Sequence, residues 1–277
     1  MNRLEIVINS HCDLKCMYCH RHSNISPNDI YLPKDVHNDL LHLKQLGHTF
    51  STIRLTGGEP FINRYFWVYL SDIHELGIKR IEVATNGKYL SKCSDIELKK
   101  LRSERISLII SLYPEESGID YSDLLNRLHK YHIPVYSRTA TYGKHYKDDK
   151  RRYLMLKMKL SETPHELTPE HCFQRTHNCA MMQHGYFYKC GVMCNLKHID
   201  NKFNTKLSDL LIENEDYINI RTLTEFSQTI DMYTKVIPVG DALPFCRYCS
   251  AGYNHGIHGE FAKWSKSKGE RIEFIEV

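Results

Sequence analysis

The chain has 277 residues, of which 42% are hydrophobic and 25% charged, with ten cysteines and a formal net charge of +4. That length suffices for one large core or for a core with a small appendage, and the composition excludes a disordered chain. The weak, dispersed charge gives nucleic-acid binding no support, and the densest basic run (147–152) is interrupted by Asp148 and Asp149.

No apolar signal core precedes Cys12, and no stretch of 18 apolar residues exists that could cross a membrane. The expectation is a cytoplasmic protein without a membrane partner. In that compartment grouped cysteines speak for metal or redox chemistry over disulfides. Nine of the ten fall into three groups, 12–19, 172–194 and 246–249, and only Cys93 stands apart.

The first half alternates strand-like and helix-like segments. Residues 4–9 read as a buried strand. A helix follows over 33–46, with Pro33 in its first turn, Val36, Leu40 and Leu43 on one face, and Gly47 as its stop. Residues 52–55 form a short strand, 65–76 a helix stopped by Gly77, and 80–84 the next strand. Ser94 and Glu97 make a capping-box pattern ahead of Leu98 and Leu101. Residues 106–112 are a fourth strand, 122–131 a helix and 133–140 a fifth strand. Residues 153–160 fit a sixth strand or a helix equally well.

This cadence predicts an α/β fold, a partial TIM-like (β/α)5-6 barrel of parallel strands over residues 1–165. A small Cys-rich C-terminal domain is expected over 166–277. Folds of this class carry their chemistry at the carboxyl ends of the strands. The loops there hold Cys12 to Cys19, Gly57 to Pro60, Asn86–Gly87 and Tyr113–Pro114.

Cys12, Cys16 and Cys19 have the spacing C-x3-C-x2-C. Three thiolates on a cube of four irons leave one iron open to an exogenous ligand. Spacing alone also permits a zinc knuckle completed by His11, His20 or His22. Taken together, CDLKCMYC (12–19), TGGEP (56–60) and ATNG (84–87) resemble the radical S-adenosylmethionine (SAM) superfamily over the first half of the chain.

The resemblance implies a 4Fe–4S cluster on Cys12, Cys16 and Cys19, with the amino and carboxylate groups of SAM on the open iron. It places Gly57 and Gly58 beside the methionyl part, Glu59 at its ammonium and Tyr18 near the adenine. Ser111 and Arg138 sit where the family often contacts the ribose or carboxylate, and Asn86 lines the same face. For these last three, loop capping or a structural hydrogen bond is an equal alternative. The implied chemistry is reductive cleavage of SAM to a 5′-deoxyadenosyl radical that takes a hydrogen atom from substrate. Such a reaction needs an electron donor of the flavodoxin or ferredoxin type.

Six cysteines follow in the second half. Cys172, Gly185 and Cys190 give C-x12-G-x4-C, and Cys246 and Cys249 close with C-x2-C. The pattern resembles the SPASM and Twitch auxiliary-cluster domains, with six cysteines favouring the shorter, Twitch-like form. It implies a second 4Fe–4S cluster on Cys172, Cys190, Cys246 and Cys249, with Cys179 and Cys194 unassigned. Four cysteines on zinc are the alternative. Cys93 is read as a passive residue.

An auxiliary cluster suggests a net two-electron oxidation of a small alcohol or sugar-like metabolite, an architecture similar to the deoxy-scyllo-inosamine dehydrogenase type. The first rival is radical modification of a ribosomal peptide by crosslinking, epimerisation or oxidation. The chain opens at the first barrel strand, so no leader-binding domain is expected. A further rival, molybdenum-cofactor synthesis, would call for a Gly-Gly tail where this chain ends GERIEFIEV. The alternative of another class is a non-catalytic zinc module, which has no use for Gly57-Gly58-Glu59. No catalytic base or hydrogen-atom donor stands out.

Overall fold

The computed structural model describes residues 2–17, 19–139, 154–156, 160, 162, 164, 180–235, 243–249 and 261–263. Five parallel strands follow in chain order: β1 (Arg3–Asn9), β2 (Thr52–Gly57), β3 (Ile81–Thr85), β4 (Ile106–Leu112) and β5 (Val135–Thr139). Between them run α1 (Pro33–Gln45), α2 (Phe66–Glu75), α3 (Lys88–Lys92), α4 (Asp95–Ser103) and α5 (Tyr121–Lys130). The expected cadence is therefore present, with one addition, α3. This single turn follows Asn86, whose Oδ1 accepts the Lys88 backbone N–H at 2.7 Å. Five residues are too few for helical periodicity to announce them.

Each element forms for a local reason. Pro33 opens α1, and Asp120 accepts the Ser122 and Asp123 N–H groups at the start of α5. The capping box of α4 is complete, with Ser94 Oγ accepting the Glu97 N–H and the Glu97 carboxylate accepting the Ser94 N–H. Leu4, Ile6 and Ile8 of β1, Ile53 and Leu55 of β2, and Ile81 and Val83 of β3 pack with Val36, Leu40, Leu43, Leu70 and Ile73 of the helices in one core. Burying one such side chain is worth about 1.5–3 kcal/mol.

The alternate positions of the first three strands carry charge. Arg54 of β2 stands between Glu5 of β1 and Glu82 of β3, 2.7 Å from each carboxylate. Both acids are buried, and the three residues are in register. A one-residue slip would leave a buried charge unpaired, so this ladder helps fix the register.

The sheet is open, and its order is β5-β4-β3-β2-β1-β7-β8-β9. Beyond β1 come β7 (Met181–Gln183), parallel to it, then β8 (Tyr186–Tyr188) and β9 (Tyr217–Asn219), each antiparallel to its neighbour. Residues assigned by sequence to a C-terminal unit thus extend the sheet of the first unit, and Met182 and Phe187 join its core. Gly185 is at the β7–β8 turn with φ +80°, after His184 at φ 49°. Two consecutive positive φ values are what a two-residue hairpin turn requires. The turn is tied to the helices. Gly185 N–H donates to Tyr31 Oη, Tyr31 donates to Asp39 of α1, and Asp39 takes two hydrogen bonds from Arg221 at 2.8 Å each. Of residues 153–160, β6 (Leu154–Leu156) is a strand, yet it pairs with β10 (Phe261–Lys263) and not with β5. Two further α-helices are described, α6 (Leu196–Phe203) and α7 (Gln228–Thr234).

One contact positions the loop after β1. The backbones of residues 9–11 and 57–59 lie against each other, with Gly58 N–H donating to Asn9 O and Glu59 N–H to His11 O, both at 2.8 Å. A Cβ on Gly57 would stand 2.1 Å from Asn9 O, and one on Gly58 1.9 Å from His11 O. Gly58→Ala must part the two backbones, and it is expected to cost at least about 3 kcal/mol in urea denaturation. Gly77→Ala, where nothing lies within 4 Å of the new Cβ, should cost only about 1 kcal/mol, the penalty of a positive φ.

Candidate functional site

The loop after β1 folds Cys12, Leu14 and Cys16 into a small apolar cluster with Ile119, and Cys19, Tyr113 and Tyr121 pack against it. Cys12 Sγ accepts the Leu14 N–H at 3.4 Å and Asn86 Nδ2 at 3.6 Å. Burial first, then Cys19 and Glu59, pushes the Cys12 thiol far above the ordinary range. The Tyr113 phenol is desolvated against the same three thiols and is likewise raised. Metal binding here must therefore displace protons.

The three thiols share one apolar cluster at the end of β1.

The exit of β3 holds the loop. Asn86 Nδ2 donates to Asp13 Oδ1 at 2.8 Å, and Lys88 Nζ donates to Asp13 O at 3.0 Å. The Tyr121 hydroxyl reaches Asn86 O at 2.7 Å and Ser111 O at 3.1 Å, linking the ends of β3 and β4. Asn86 thus caps and clamps. Ser111 stands in register with Arg138 of β5, so these two positions are neighbours at the carboxyl ends of their strands. Tyr18 lies outside the described residues.

Glu59 has no exposed surface. Its Oε1 accepts Thr85 Oγ1 at 2.8 Å and the Phe61 N–H at 3.2 Å, and its Oε2 accepts the Asn86 N–H at 2.8 Å. Burial raises its pKa to about 7 against the lowering effect of those donors. The space beside Gly57 and Gly58 is filled by the backbone of residues 9–11, so both glycines serve the chain's own close approach. Asp13, Lys88, Tyr113 and Tyr121 were not singled out by sequence as site residues. Tyr113, in a strand-end loop, carried the one available signal.

Of the second cysteine set, Cys190, Cys194, Cys246 and Cys249 are described, while Cys172 and Cys179 lie outside the described residues. Cys190 follows β8, and Cys246 and Cys249 sit on and just after the turn Pro244–Tyr248. Asp216, fully buried, joins the two segments. Its Oδ1 accepts the Phe245 N–H at 2.9 Å, its Oδ2 the Ile212 N–H at 3.0 Å, and its backbone O the Lys189 N–H at 3.0 Å. Burial raises its pKa, opposed by these amide donors. Cys194 lies near Arg21. Burial pushes its thiol up to about 12, moderated by Arg21, and Arg21 Nη1 donates to Gly191 O at 3.0 Å. Cys93 caps the end of α3, is buried, and offers its thiol to Tyr89 O at 3.6 Å. Among the described residues no helix is long and apolar enough to cross a membrane.

Asp216→Ala leaves two buried amides without acceptors and should cost about 2–4 kcal/mol, read by thermal unfolding. Asn86→Ala removes the clamp on Asp13 and should loosen the 12–19 loop, lowering the iron held there in the anaerobically loaded protein.

The Radical SAM superfamily model matches residues 6–156, more than half of the chain. A curated relative, the probable GTP 3′,8-cyclase of Methanothermobacter marburgensis, is 30% identical over 113 residues, 40% of this chain and 36% of that protein. The corresponding protein of Sulfurisphaera tokodaii is 25% identical over 124 residues, 43% of this chain and 39% of that one. The matches thus span under half the length of these relatives. Among solved structures, native anSMEcpe with bound AdoMet aligns over 84% of this chain and 82% of its own, at 14% identity and a TM-score of 0.49. A family match over the strands that present Cys12, Gly57, Glu59 and Asn86 means that the chain belongs to the radical SAM superfamily.

Proposed function

We propose that this radical SAM enzyme performs a net two-electron oxidation of a small alcohol or sugar-like substrate, aided by a second 4Fe–4S cluster on Cys172, Cys190, Cys246 and Cys249. The observation that carries the reading is Asp216, whose buried carboxylate and carbonyl hold the Cys190 and Cys246 segments together. Cys12, Cys16 and Cys19 would hold the first cluster, which together with SAM would supply hydrogen-atom abstraction from the substrate.

The chain's part is to bind and exclude water. Leu14, Ile119, Tyr113 and Tyr121 wall the three thiols. Ser111, Arg138 and Tyr18 are the positions offered to SAM. A carbonyl product requires that the substrate lose one further electron and one proton, and the second cysteine set is where the acceptor would sit. A flavodoxin or ferredoxin would supply the reducing electron. The GTP 3′,8-cyclase relatives favour a second reading, in which the substrate is a nucleoside triphosphate.

Reduced enzyme, incubated anaerobically with SAM and a panel of polyols, aminocyclitols and GTP, separates the two. The expected result is 5′-deoxyadenosine with an equal amount of a carbonyl product from a polyol or cyclitol. Cys246→Ala and Cys249→Ala should keep SAM cleavage while carbonyl formation falls about a hundredfold, equivalent to about 2.7 kcal/mol. Carbonyl formation unchanged in both variants would refute the acceptor role. A product from GTP alone would establish the second reading.

A further inference from the structure

We propose that His37, Asp72 and Glu75 form a binding site for a divalent transition-metal ion of the zinc type, separate from both cysteine sets. The site joins two helices. His37 lies in the second turn of α1, and Asp72 and Glu75 lie three residues apart near the end of α2. Residues at that spacing share one helix face. One imidazole nitrogen and one oxygen from each carboxylate all lie within 4.8 Å of one another.

Two further observations favour a cation there. Among the described residues none of the three side chains has a hydrogen-bond or ion-pair partner, in contrast to Asp39, paired with Arg221, and Asp29, paired with His184. The two carboxylates repel, and no basic group of the described residues forms an ion pair with either. The donor set also selects the ion. Calcium takes six to eight oxygens, and magnesium keeps most of its waters, so neither has use for the imidazole. One imidazole with two carboxylates suits zinc and its neighbours in the first transition row.

Zinc bonds of about 2.0–2.2 Å would require the three atoms to close to roughly 3.5 Å. His37 and Asp72 are half-buried and Glu75 exposed, so side-chain rotation can supply that movement. Water would complete the shell. Bound there, the ion would cross-link α1 to α2, the helices that cover β1 and β2.

The test uses enzyme with its cysteines already loaded with iron and sulfide, titrated anaerobically with zinc chloride in a calorimeter. One equivalent should bind, weakened at least about tenfold in both His37→Ala and Asp72→Asn and unchanged in Cys93→Ser. Asp72→Asn keeps the side-chain shape, so it reports on ligation if His37→Ala unfolds. No zinc bound below about 1 mM would overturn the proposal, as would equal binding by wild type and Asp72→Asn, or loss of binding in Cys93→Ser.

Discussion

The site depends on two backbones that approach too closely for a side chain to stand between them. The amides of Gly58 and Glu59 donate to the carbonyls of Asn9 and His11 at 2.8 Å, and a Cβ on either Gly57 or Gly58 would overlap a carbonyl oxygen. The approach delivers the three-cysteine loop to the end of β1 at a set height above the sheet. Asn9 reinforces it, since its Nδ2 reaches both His11 O at 2.9 Å and Glu59 O at 3.2 Å. Buried amides need acceptors, and here each strand end supplies those of its neighbour.

Glu59 then carries the arrangement across to β3. A fully buried carboxylate that takes three protein donors links the turn after β2 to Thr85 and Asn86, and Asn86 in turn holds Asp13 of the cysteine loop. The motif of glycines and acid therefore acts as a mechanical chain from β1 to β3. Buried networks of this kind favour one arrangement over its alternatives. Below them, the Glu5–Arg54–Glu82 ladder holds the same three strands in register.

Much of this was legible in the sequence, for identifiable reasons. The five parallel strands show as apolar runs separated by amphipathic segments, and Pro33, Gly47, Gly77, Ser94 and Glu97 mark their helices by local chemistry. Cys12, Cys16 and Cys19 show because a short loop fixes their spacing. What was not legible depends on contacts between distant segments. Strands β7 to β9 have three residues each, and their continuation of the sheet from β1 is decided by pairing, which no local pattern records. Asp216 looks like any other acidic loop residue until its burial between residues 189 and 245 is seen. The sequence marks Gly57 and Gly58 as special without saying whether the room they leave is for a ligand or for the chain itself.

We propose that the two sets of cysteines hold two iron–sulfur clusters. Iron and acid-labile sulfide per chain, measured after anaerobic reconstitution of the wild type and of Cys12→Ala/Cys16→Ala/Cys19→Ala, test it most directly. The account predicts about eight irons in the wild type and about four in the triple variant. Zinc in place of iron at both sets, or an iron content that the triple variant leaves unchanged, would contradict it.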